Sequence, residues 1–89
     1  MLKQQDMDAI ISLAKQYNVK EIYLFGSSLE DEARAADIDL AVRGLKPGLF
    51  FDFYGKLLHY LSKPVDLVDL SKKRPITEAI ERRAVKIYG

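Results

Sequence analysis

Asp37-Ile38-Asp39-Leu40-Ala41-Val42 alternates with a period of two, so an extended strand would carry Asp37, Asp39 and Ala41 on one face and Ile38, Leu40 and Val42 on the other. The apolar face holds the strand to a core, and both carboxylates project together from the opposite side. Like charges this close repel, which raises a pKa or recruits a counter-charge. Magnesium suits that role, since it takes one or two carboxylates plus waters and substrate phosphates. A lone Asp-x-Asp is common, however, and taken alone it is better explained by two solvated carboxylates at the start of a strand.

Outward from this stretch, two more segments bear on the weighing. Lys20 to Phe25 reads as a strand ending at Gly26, where the lack of a Cβ permits a sharp turn or the close approach of a ligand. Ser27 or Ser28 then caps a short helix expected over Leu29 to Arg34, and Leu24-Phe25-Gly26-Ser27 would offer backbone N–H groups and a hydroxyl to phosphate oxygens. An ordinary turn with a capping serine accounts for Gly26-Ser27 as well. Downstream, Pro64-Val65-Asp66-Leu67-Val68-Asp69-Leu70 reads as a strand with an acid inside an apolar run, costly unless it is partnered. Asp66 and Asp69, three residues apart, point to opposite faces of such a strand, so only one can join a site on a given face.

Helical spacing marks three further segments. Residues 5–17 place Met7, Ile10, Ile11, Ala14 and Tyr17 on one side and Asp6, Asp8, Lys15 and Gln16 on the other. From about Leu49 to Ser62 the stripe is Phe50, Phe53, Tyr54, Leu57, Leu58 and Leu61; Phe51 lies off it, as a contact residue would. Pro75 opens a closing helix bearing Ile76, Ala79, Ile80, Ala84 and Ile87. The resulting order implies an α/β fold: a small three-stranded mixed sheet with its helices mainly on one face and the other face left for a site.

With 89 residues the sequence reads as a single domain over 1–89, and a domain of this size hides only about 60% of its unfolded surface, so a partner or a homo-oligomer is expected. Apolar residues at 48% and charged residues at 30% exclude a disordered chain, and a net charge of +1 gives no overall field toward nucleic acid or membrane. Cysteine is absent, which excludes disulfides and thiolate metal sites. The polar start and the interruption of the most apolar stretch by Asp52, Gly55, Lys56 and His59 argue against a signal peptide or membrane span, making a cytoplasmic protein the default.

Gly26-Ser27, Asp37-Ile38-Asp39-Leu40 and Val65-Asp66-Leu67 together resemble, in order and over nearly the whole chain, the motifs of minimal nucleotidyltransferases of the DNA polymerase β-like superfamily. The resemblance implies a polymerase β-like core that transfers a nucleoside monophosphate, AMP from ATP, to a hydroxyl with pyrophosphate leaving. It implies that Asp37, Asp39 and Asp66 are catalytic and hold two magnesium ions, with Asp66 also helping to deprotonate the acceptor. Gly26 and Ser27 would bind the β- and γ-phosphates. Small members often pair with a HEPN-type helical protein as antitoxin and toxin, which implies a tyrosine of that partner as acceptor. The alternative is a non-catalytic partner-binding antitoxin or scaffold with a degenerate nucleotide site.

That alternative is motivated by departures from the family pattern. Glu30-Asp31-Glu32 stands where members usually carry an Ala-Arg-Gly segment, and Ala36 replaces the usual serine before the first aspartate. Arg34 could stand in for the arginine at the phosphates, although a solvated surface arginine explains it better. Lys72, Lys73, Arg74, Arg82, Arg83 and Lys86 concentrate positive charge near the C-terminus, and a solvated helix face with Ile76, Ile80 and Ile87 turned inward explains them better than direct nucleic-acid binding. His59, without a second His or a Cys at ligand spacing, reads as a packing or surface residue.

Overall fold

The computed structural model describes residues 2–26, 35–72 and 74–89. Helix α1 (Gln4–Gln16) turns Ile10, Leu13 and Ala14 inward and ends at Tyr17. Asn18, at φ 54°, takes the left-handed conformation that asparagine tolerates, and the chain reverses into β1 (Glu21–Phe25). β2 (Ile38–Arg43) follows, then a 3-10 turn (Pro47–Leu49), α2 (Phe50–Tyr60), β3 (Val65–Asp69), α3 (Pro75–Arg83) and β4 (Val85–Tyr88). The sheet order is β3-β2-β1-β4, with β2 and β3 parallel and the other two pairs antiparallel.

Alternation divides the sheet as the sequence requires. Ile22 and Leu24 of β1, Ile38, Leu40 and Val42 of β2, and Val65 and Leu67 of β3 face α1 and α2 and form the main core with Phe53 and Leu57. The short helix expected over Leu29 to Arg34 lies outside the described residues.

Four expectations need correction. The sheet has four strands, not three, because the closing helix stops at Arg83: the Ala84 N–H still reaches the Ile80 carbonyl, but Ala84 is itself extended. The β-forming residues Val85, Ile87 and Tyr88 then add to the otherwise open edge of β1, and tertiary pairing overrides the helical spacing of Ile80, Ala84 and Ile87. Second, α3 packs on the site face rather than with α1 and α2; Ile80 covers Ala41 and Leu70, with Tyr23, Phe25, Val68 and Ala84 around them. Third, Leu58 and Ile76 are not turned inward but are 49% and 55% exposed. Fourth, Asp6 is buried, its carboxylate accepting the Ser62 N–H at 3.0 Å and the Ser62 hydroxyl at 2.6 Å, so α1 is tied to the turn after α2.

Other expectations agree. Phe51 is 83% exposed. His59 lies at the surface, its ring edge-on to that of Tyr60.

Candidate active site

On the site face α3 packs around Ala41, and the acids lie toward one end of the same face. Asp39, second in β2, stands in register with Phe25 of β1 on one side and with Asp66 of β3 on the other. Equivalent residues on paired strands project from the same face. Asp39 and Asp66, 27 positions apart in sequence, are therefore side by side. Asp37 precedes β2 by one residue and is exposed, as is Asp66, whereas Asp39 is half-buried.

The grouping has an electrostatic consequence. The Asp39 carboxyl is pushed above its ordinary value, first by burial, then by the negative charge of Asp66, then by that of Asp37. Asp69 faces away from this cluster, and its carboxylate accepts the Ser71 N–H at 2.9 Å at the end of the strand.

Gly26 completes the arrangement. It sits directly after β1 with φ +71°, and a Cβ there would run into the Asp39 carboxylate, lying 3.0 Å from its Cγ. The residue is thus required twice, once for its backbone conformation and once for its lack of a side chain. Ser27, Arg34 and the acids Glu30 to Glu32 lie outside the described residues.

The carboxylates fit a divalent cation in kind, because each raises the cost of charge on Asp39 and a cation would relieve it. Among the described residues, however, no three His, Cys, Asp or Glu side chains converge closely enough to hold one ion together. Phe25 is a further residue of the site that the sequence reading treated only as an apolar strand position. The period of β1 distinguishes it, since Ile22 and Leu24 take the core face and leave Tyr23 and Phe25 on the face of Asp39.

A glycine turn and paired acids at one end of a mixed sheet are parts from which a phosphate- and cation-binding site can be built. Comparison with known proteins gives the chain a family. Residues 8–89 match the family described as "Polymerase beta, Nucleotidyltransferase". The chain belongs to that polymerase β nucleotidyltransferase family. No curated protein sequence matches it significantly.

Among solved structures, a complex of a tri-AMPylated Shewanella oneidensis HEPN toxin with an MNT antitoxin is similar at 28% identity and a TM-score of 0.75, covering 99% of this chain and 73% of that one. A toxin–antitoxin structure with AMP-PNP matches at 27% identity and TM-score 0.74, over 93% of this chain and 73% of that one. The MntA–HepT toxin–antitoxin structure matches at 27% and 0.74, over 98% and 73%. Among the described residues no helix is long and apolar enough to cross a membrane.

Proposed function

We propose that this chain is an antitoxin that transfers AMP from ATP to a tyrosine hydroxyl of a HEPN-type helical toxin, with magnesium. The observation that carries the reading is the in-register pairing of Asp39 with Asp66 beside the Gly26 turn. Support for the acceptor and partner comes from the similar MNT antitoxin found with a tri-AMPylated HEPN toxin, and for the nucleotide from the relative with AMP-PNP.

In this mechanism Asp37, Asp39 and Asp66 would hold the magnesium, which when bound would supply positive charge to offset the negative charge that develops during transfer. Asp66, exposed on the edge strand, accepts the proton of the acceptor hydroxyl. The hydroxyl oxygen bonds to the α-phosphorus, the bond from that phosphorus to the β-bridging oxygen breaks, and pyrophosphate departs with the electron pair. The Gly26 turn, with Ser27, orients the β- and γ-phosphates so that the leaving group lies in line.

The test is transfer of label from α-³²P-ATP to the copurified partner, comparing wild type with an Asp37→Asn, Asp39→Asn double variant. Label with wild type alone is expected; no label from wild type in a stable complex would overturn the reading. A second reading, a non-catalytic partner-binding antitoxin, is motivated by the acids Glu30, Asp31 and Glu32 that follow Gly26-Ser27 in the sequence. Neutralisation of the toxin that survives the double substitution would establish it.

A further inference from the structure

β3 is an edge strand. The Ile38 N–H donates to the Pro64 carbonyl and the Leu70 N–H to the Val42 carbonyl, each at 2.8 Å. In a parallel ladder, residues that bond a given neighbour alternate with residues that do not. Asp66 and Val68 therefore bond β2, while Val65, Leu67 and Asp69 turn their backbone groups outward. The Tyr54 hydroxyl donates to the Val65 carbonyl at 2.7 Å and closes the edge at its start.

From Leu67 onward the edge opens onto a groove of about 440 Å³. Its walls are Phe51 of α2 and Ile76 of α3, apolar side chains 83% and 55% exposed that the fold itself does not bury. Lys72 and Arg74 stand beyond the carboxyl end of β3; Asp69, the one acid among the described residues that line the groove, already receives the Ser71 N–H. Proteins usually blunt a free edge with charge or cover it. An open edge between apolar walls suits an added strand, with main-chain hydrogen bonds for affinity and flanking side chains for specificity.

We propose that this groove receives an extended, acidic segment of the acceptor protein as a fifth strand on β3, which delivers its hydroxyl-bearing residue beside Asp66. The last clause rests on the transfer reading above; the strand addition does not. At roughly 3.3 Å per residue, an acid that reaches Lys72 or Arg74 falls about three to five residues from the hydroxyl.

The test titrates ¹⁵N-labelled full chain, without nucleotide or magnesium, with a synthetic peptide. The peptide alternates valine and threonine, with a tyrosine near one end and two glutamates near the other; a twin carries lysines in place of the glutamates. Amide exchange at Leu67 and Asp69 is expected to slow at least about tenfold at saturation. The acidic peptide should bind about fivefold tighter than its twin, with the preference reversed in a Lys72→Glu, Arg74→Glu variant. A Phe51→Ala, Ile76→Ala variant, altered only at exposed positions, should bind both peptides more weakly. Unchanged exchange at Leu67 and Asp69, or a preference that survives charge reversal, would overturn the proposal. Loss of label transfer with normal peptide protection would instead overturn the transfer reading alone.

Discussion

The backbone of Gly26 and the carboxylate of Asp39 lie so close that no methyl group fits between them. Gly26→Ala therefore meets both a collision and a left-handed backbone, which alone costs an L-residue roughly 1–2 kcal/mol. We expect a melting temperature lower by about 5–15 °C and loss of nucleotidyl transfer. Gly55→Ala is the contrasting case. In the middle of α2, with nothing within 4 Å of an added Cβ, it should stabilise the chain by about 0.5–1 kcal/mol in urea unfolding.

Asp39→Asn should raise stability while removing activity. Folding raises the Asp39 pKa, so its favourable contribution is complete below the ordinary carboxylate range and is lost as pH rises through the folded value. At neutral pH the ionised carboxylate opposes folding, and an uncharged amide of the same shape does not. Calorimetry at pH 7 should show the variant melting above wild type. The gap should narrow on acidification.

Asp6 and Ser62 make a structural prediction away from the site. Asp6→Ala leaves the Ser62 N–H and hydroxyl without their carboxylate and should cost about 1.5–3 kcal/mol. Urea midpoints should fall with the slope unchanged. Ser62→Ala keeps the N–H bond to the carboxylate and should cost less.

Tyr17 contributes a pH dependence on the alkaline side. Its hydroxyl donates to the Asp52 carboxylate, and that bond, then burial, then the Asp52 charge hold its pKa above the ordinary value near 10. The raised pKa stabilises the fold fully below the ordinary value, and this stability is lost as pH climbs through the folded value. Tyr17→Phe keeps the ring against Phe53, whose centroid is 5.2 Å away, so its unfolding midpoint should vary less than that of wild type above pH about 10.

The alternation from Asp37 to Val42 made β2 and its acidic face legible from sequence, and the apolar run around Asp66 did the same for β3. Their adjacency was not local information, since it depends on α2 carrying the chain from β2 to a parallel β3. The end of the chain was harder to read because Ile80, Ala84 and Ile87 satisfy a helical period, and only the unpaired edge of β1 selects a strand after Arg83. Asp6 misled for a similar reason: an acid in the first turn of a helix belongs at the surface unless a distant residue, here Ser62, supplies its donors.

In parallel sheets ligands collect beyond the carboxyl ends of the strands. Here Asp39 and Asp66 are each second in their strand, so β2 and β3 offer their amino ends, while antiparallel β1 brings its carboxyl end and Gly26 to the same place. The acidic half and the glycine half of the site thus arrive from opposite chain directions and meet only across the β1–β2 ladder. Extra residues in the crossover through α2 would leave that meeting intact. A slip of one residue between β1 and β2 would not, because Phe25 and Asp39 would then lie on opposite faces of the sheet.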